Sequence, residues 1–188
     1  VPAEKYHVTV ENIRTEAGLT ANITSNGIRD HRGFLWTPTP NGLARFDGED
    51  FLDLSRDKNH LQGNNIFTLA EDDKGFIWLL YLVPGTGSAS SGKMDLLDTR
   101  TLLARPATDV YPALSKLDGI VVAVFTDPDK SIFLLTTKGS IYKKTLEGNF
   151  NLLITRPIQT PGQAKNRVFA GKSHLWFLPN DTTAVCLH

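Results

Sequence analysis

A seven-residue phrase occurs twice in this chain. Asp30-His31-Arg32-Gly33-Phe34-Leu35-Trp36 returns as Asp72-Asp73-Lys74-Gly75-Phe76-Ile77-Trp78. Fainter copies stand at Asp129-Lys130-Ser131-Ile132-Phe133 and at Gly171-Lys172-Ser173-His174-Leu175-Trp176. The aromatic anchors Trp36, Trp78, Phe133 and Trp176 are therefore 42, 55 and 43 residues apart. Recurrence at this spacing, with one β-rich unit per copy, is the signature of stacked propeller blades. Each unit would bury its apolar face against the next.

The segments between the anchors read as short strands. Gly, Pro, Asn and Asp punctuate β-branched and aromatic runs, and helical periodicity is almost absent. In the first unit the strands are Asn22–Arg29, Phe34–Thr37, Leu43–Phe46 and Phe51–Leu54. Asp30–Gly33 is a turn with Asp at its first position and Gly at its last. Asn41-Gly42 is a tight hairpin signal, because both residues tolerate positive φ. The second unit predicts strands at Asn65–Ala70, Phe76–Val83, Met94–Asp98 and Thr101–Ala104. Phe76–Val83 is apolar throughout, as a strand buried on both faces should be. A Gly- and Ser-rich loop, Pro84–Gly92, takes the place of its hairpin. Pro106–Asp118 reads as a linker. The third unit predicts strands at Ile120–Phe125, Ser131–Thr136, Ile141–Lys144 and Phe150–Ile154, with a hairpin at Lys138-Gly139. The fourth offers Arg167–Ala170, His174–Leu178 and Ala184–Leu187.

The expected fold is thus all-β: a propeller with about four four-stranded blades near 20–55, 64–105, 119–155 and 166–188. The fourth unit is one strand short, and Tyr6–Val10 alternates like an edge strand. We expect residues 1–10 to close a further blade, and the chain to be part of a larger ring of about seven blades.

Composition narrows the function classes. Lys plus Arg and Asp plus Glu both number 20, giving a formal net charge of zero. No excess charge recommends nucleic acid or an anionic membrane surface as partner. Cys186 is the only cysteine, so the chain cannot form an internal disulfide or a cysteine metal site. No apolar run approaches the length of about 18 residues that a spanning helix needs. Val1-Pro2-Ala3-Glu4 reads as a mature or a cloned start, compatible with a removed signal peptide.

The first two units resemble the two-component regulator propeller repeat. The resemblance is carried by Gly18-Leu19-Thr20-Ala21-Asn22-Ile23, by Asp30–Trp36, and by Asn41-Gly42-Leu43-Ala44-Arg45-Phe46-Asp47-Gly48. It continues in Leu61-Gln62-Gly63-Asn64-Asn65-Ile66 and Glu71–Trp78, and fades from residue 119. Pro38-Thr39 and Leu80-Tyr81 stand where the family has a Gly-Thr pair. The resemblance implies the periplasmic sensor of a bacterial hybrid two-component system, with its histidine kinase and membrane helix outside this chain. It implies an oligosaccharide ligand, a homodimer formed through the full-length sensor, and no cofactor.

No residue set announces a reaction, and we expect no catalytic residues. Asp30 and Asp73 could form a carboxylate pair, but they occupy equivalent turns on different blades and read as turn-forming residues. Trp36, Trp78 and Trp176 could stack on sugars. Their common place in the repeat instead predicts packing between blades. His7, His31, His60, His174 and His188 show no His-x-x-x-His spacing, so no metal site is expected. Propellers bind with loops carried on a rigid scaffold. The loops joining second and third strands make Asn41, Tyr81, Ser88, Lys138 and Asn180 the expected ligand-binding residues. The alternatives are a propeller-scaffold lyase or glycosidase, and a structural propeller that serves dimerisation.

Overall fold

The repeated phrase is a hydrogen-bonding unit. In the computed structural model, which describes residues 27–82, 90–157, 168–170, 174–177 and 185–187, Asp30 accepts three bonds. Its Oδ1 takes the backbone N–H groups of Arg32 at 3.0 Å and Phe34 at 2.9 Å. Its Oδ2 takes the indole N–H of Trp36 at 2.9 Å. Asp72 repeats the pattern with Lys74 at 3.0 Å, Phe76 at 2.9 Å and Trp78 at 3.0 Å. Both carboxylates are buried and both indoles are 0% exposed. A buried indole N–H needs an acceptor, and a buried carboxylate needs donors. The Asp-x-x-Gly-x-x-Trp spacing supplies both, while Gly33 and Gly75 provide the positive φ that closes each turn.

The partner of Asp30 in the repeat is therefore Asp72. Asp73, the residue after it, is exposed on the turn. The third copy is also longer than its sequence suggests. Asp127 Oδ1 accepts the N–H of Ser131 at 2.9 Å, four residues on, as Asp30 does from Phe34. The phrase thus runs from Asp127 to Phe133 at full length. Lys130, at φ 61°, holds the place of the glycine, which hid the register. Phe133 replaces the tryptophan and stacks on Phe125 at 5.5 Å.

These turns join the first and second strands of antiparallel sheets. The first sheet is β1 (Ile28–Arg29), β2 (Leu35–Thr39), β3 (Gly42–Phe46) and β4 (Phe51–Leu54), hydrogen-bonded in chain order. The second is β5 (Ile66–Glu71), β6 (Phe76–Leu82), β7 (Ser90–Asp98) and β8 (Leu103–Pro106). The third is β9 (Val121–Thr126), β10 (Ile132–Thr136), β11 (Ser140–Lys144) and β12 (Phe150–Thr155). A three-stranded sheet follows, β13 (Val168–Ala170), β14 (Leu175–Phe177) and β15 (Val185–Leu187). The architecture is mostly β, a succession of meander sheets as in propeller blades. The third strand of the second sheet starts at Ser90, inside the segment expected to be loop. Tyr6–Val10 and most of Asn22–Arg29 lie outside the described residues.

Alternation within strands builds the core between sheets. In β6, Ile77, Leu79 and Tyr81 face the first sheet, joining Trp36, Leu43, Leu54 and Leu97. Trp78 and Leu80 face the third, joining Met94, Leu96, Val124 and Leu134. The second sheet is thus buried on both faces, as the unbroken apolar run predicts. The other face of the third sheet carries Val122, Phe133, Leu135 and Ile141.

Two features depart from the sequence reading. Pro106–Asp118 is not a bare linker. It contains α1's counterpart in the next unit: where α1 (Arg56–Asn59) follows the first sheet, α2 (Ala107–Val110) and a 3₁₀ turn (Pro112–Lys116) follow the second. Ala107 and Leu114 are buried there. The ring of Tyr111 stacks on Trp78 at 5.5 Å and 7°, with Phe150 edge-on to both. Trp176 is the second departure, being 45% exposed. Ala170 stands six residues before it, where an acceptor aspartate would be, so the aspartate–indole bond cannot form.

Asp72→Ala should lower stability by about 2–4 kcal/mol, because it strands a buried indole N–H and two turn amides. Asp73→Ala should stay within about 0.5 kcal/mol of the parent. Chemical denaturation of the two variants measures the difference, and equal losses would contradict the assigned register.

Candidate functional site

Antiparallel meanders give the sheets two distinct ends. The turns between first and second strands, Asp30–Gly33, Asp72–Gly75 and Asp127–Lys130, share one end. The connections between second and third strands, which include Pro40-Asn41 and Thr137-Lys138, share the other. The first strands converge, with β1 and β9 both against β5.

At the turn end, three sheets meet on one carboxylate. Glu71 closes β5, and its side chain is 1% exposed. His31 donates its backbone N–H to both Glu71 oxygens at 3.0 Å, and its Nδ1 lies 2.6 Å from Oε1. Lys130 Nζ, from the third sheet, lies 3.0 Å from Oε2. Burial alone would raise the Glu71 pKa. The His31 side chain and backbone, with Lys130, outweigh it and hold the carboxyl below its ordinary value. This cluster caps a cavity of about 260 Å³ along the first strands, lined by Ile28, Thr68–Glu71 and Ala123–Thr126. His31 is therefore a tie between blades and not an ordinary surface histidine. Only the fold places Glu71 beside it.

At the loop end lies a cleft of about 510 Å³ between the first and second sheets. Pro40 enters it from the β2–β3 turn and Arg56 from the start of α1. Gln62, Gly63, Asn64 and Asn65 come from the approach to β5, Tyr81 and Leu82 from the end of β6, and Lys93 from β7. Its floor is fixed by a fully buried carboxylate, Asp95. Asp95 Oδ2 accepts the Tyr81 hydroxyl at 2.6 Å and the Gln62 N–H at 2.9 Å. Asp95 Oδ1 accepts Gln62 Nε2 at 2.6 Å, and that amide also donates to the Met94 carbonyl at 3.1 Å. Burial first, then the Asp95 charge, push the Tyr81 phenol far above its ordinary pKa. It therefore stays a proton donor, and the polar loop 62–65 is held in place before any ligand arrives.

The expected binding residues are distributed as follows. Tyr81 lines this cleft as part of its floor. Asn41 stands next to Pro40 at the rim, its N–H directed to Thr39 Oγ1 at 3.3 Å. Lys138 shares the loop end but sits on the third sheet, beside Asp118. Burial raises the Asp118 pKa. The hydroxyls of Ser140, Tyr142 and Thr136 and the charge of Lys138 bring it below its ordinary value. Ser88 and Asn180 lie outside the described residues. Arg56, Gln62, Asn64, Asn65 and Lys93 escaped the sequence reading. The run Gln62-Gly63-Asn64-Asn65, polar and directly before a core strand, was the available signal.

A further cleft of about 390 Å³ on the turn side is lined by Asp73, Asp129, Ser131, Lys143, Lys144 and Asn151 among others. No cluster of three His, Cys, Asp or Glu side chains suited to a metal occurs among the described residues. No helix among them is long and apolar enough to cross a membrane.

Residues 60–80 match the model of the two component regulator propeller family. The matched stretch contains the Gln62–Asn65 wall of the cleft, Glu71, and the Asp72–Trp78 phrase. No curated protein matches the chain. Among solved structures, it is similar to the extracellular domain of the hybrid two component system BT3049 from B. thetaiotaomicron. Identity there is 15% and the TM-score 0.61, covering 90% of this chain and 21% of that one. The extracellular domain of the hybrid two component system BT4673 from B. thetaiotaomicron gives 16% and 0.55, covering 98% and 26%. Virginiamycin B lyase from Staphylococcus aureus gives 13% and 0.53, covering 87% and 55%. These likenesses establish the propeller fold. The chain spans about a quarter or less of the two sensor domains.

Glu71 should make stability sensitive to acid. Its folded pKa is depressed, so its contribution is complete above its ordinary value near 4.5 and is lost as pH falls through the lowered folded value. Glu71→Gln should flatten the acid limb of a stability–pH curve. His31→Ala should cost about 1 kcal/mol near neutral pH, because its ring is half exposed and its backbone bond survives.

Proposed function

We propose that this chain forms ligand-sensing blades of an extracytoplasmic, periplasmic propeller in a hybrid two-component signalling protein, and that it responds to an oligosaccharide. The observation that carries the reading is the pre-organised loop-end cleft. Its wall offers the side-chain amides of Asn64 and Asn65, able to donate and accept with sugar hydroxyls, and the Gln62 side-chain oxygen as an acceptor. Its volume, about 510 Å³, falls in the range of small-molecule sites. Asp95, the carboxylate beneath it, is committed to Gln62 and Tyr81, which suits a cleft that holds its ligand by hydrogen bonds. Occupancy would be transmitted through the packing of the sheets to a kinase and membrane segment elsewhere in the protein, which would act as a homodimer.

A second reading, a lyase or glycosidase on the same scaffold, draws on the turn-side cleft. There Asp73 and Asp129 line one cavity, and virginiamycin B lyase shares the fold. The two readings place ligand at opposite ends of the sheets.

Calorimetric titration of the full-length protein with an oligosaccharide panel separates them. The sensor reading expects binding without turnover, weakened about tenfold or more in Gln62→Ala or Asn65→Ala, equivalent to about 1.4 kcal/mol. Asp73→Asn should leave it unchanged. Product formation abolished by Asp73→Asn would overturn the sensor reading in favour of the enzyme.

A further inference from the structure

The fourth strands form the outer edges of the sheets, and the first three sheets protect those edges unequally. An edge strand offers a row of N–H and C=O groups to any strand that approaches, and proteins blunt it with charge, proline or shortness. β4, Phe51-Leu52-Asp53-Leu54, is four residues long and carries Asp53. β8, Leu103-Ala104-Arg105-Pro106, is also four residues long and carries Arg105 and Pro106. β12 has none of these devices. Its sequence, Phe150-Asn151-Leu152-Leu153-Ile154-Thr155, runs six residues without a charge or a proline. Among the described strands it pairs with β11 alone. Leu152 is 54% exposed and Leu153 44%, and Leu146, in the turn that leads into β12, is 81% exposed. The charges that flank the strand are opposite in sign. Glu147 precedes it and Arg156 follows it, both exposed, and no residue between them is charged.

We infer that β12 is the docking edge for β12 of a second copy of this protein, set antiparallel across a two-fold axis so that the two sheets become one. The inference rests on the homodimer of the proposed function and names its surface. A two-fold interface must be self-complementary. Antiparallel pairing of a strand with its own copy brings the start of each against the end of the other. Glu147 then faces the partner's Arg156 at both ends, and opposite charges across a strand pair stabilise it. A parallel pairing would set like charges side by side. Leu152 and Leu153, near the middle of the strand, meet their counterparts at the axis, where burial removes apolar surface from water. The outward N–H and C=O groups of β12 gain strand partners in the same step.

The test is cysteine crosslinking of the full-length protein. Asn151→Cys, Leu152→Cys and Leu153→Cys are made singly, with Arg105→Cys on β8 as the control edge and the parent, which holds Cys186, as the baseline. A disulfide forms only where two sulfurs meet at short range. The expected result is a covalent dimer on mild oxidation from at least one β12 variant, severalfold above Arg105→Cys and the parent. Glu147→Arg should lower that yield severalfold, and adding Arg156→Glu should restore it, since the exchanged charges match again across the axis. Both positions are exposed, so the fold tolerates the exchange. β12 thiols that crosslink no better than Arg105→Cys would overturn the inference. So would thiols shielded from maleimide without any dimer, which would place another part of the same chain on this edge. A yield indifferent to both charge reversals would overturn the antiparallel pairing. Oligosaccharide titration is read separately: a β12 dimer without ligand binding would leave this inference standing and count against the sensing reading, and ligand binding without the dimer would do the reverse.

Discussion

An aspartate buried beneath an indole is the bond on which the first two sheets depend. Asp30 and Asp72 each spend one carboxylate oxygen on the following turn and the other on a tryptophan six residues later. The turn amides are satisfied, the strand that follows is aimed, and the indole is locked at the interface between sheets. Local turn chemistry and long-range packing are thereby one interaction. That explains why the phrase recurs as a block.

Once the indoles are placed, the sheets are joined by contacts that differ from one interface to the next. Between the first and second sheets, the aliphatic side chains around Trp36 fill the gap. Between the second and third, Tyr111 stacks on Trp78 and Phe150 braces both. Glu71 then ties turns from the first and third sheets to the end of the second. A frame fixed at its turn end leaves the opposite end free to carry polar loops, where a shaped cleft can be held at little cost in flexibility.

Much of this frame was legible in the sequence. Phe51–Leu54 was read with its observed bounds, and β6 within one residue, because glycine turns and unbroken apolar runs mark strand ends directly. The third blade's turn was misread because Lys130 occupies a left-handed position that glycine marks elsewhere. The helical turns at Ala107–Lys116 were read as linker, since two short turns leave no amphipathic period. The site was less visible. Tyr81 and the neighbourhood of Asn41 were reached through loop position. Arg56 and Lys93 come from segments 37 residues apart in the chain, and no spacing rule brings them together. Their meeting is a consequence of sheet packing, and so is that of His31, Glu71 and Lys130.

The central claim is that ligand occupies the loop-end cleft on a frame already set. Hydrogen–deuterium exchange of the full-length protein, with and without a bound oligosaccharide, addresses it most directly. The account predicts slowed exchange over Arg56–Asn65 and around Tyr81 and Lys93, with the Asp72–Gly75 and Asp127–Lys130 turns unchanged. Protection concentrated at those turns, beside Asp73 and Asp129, would contradict it.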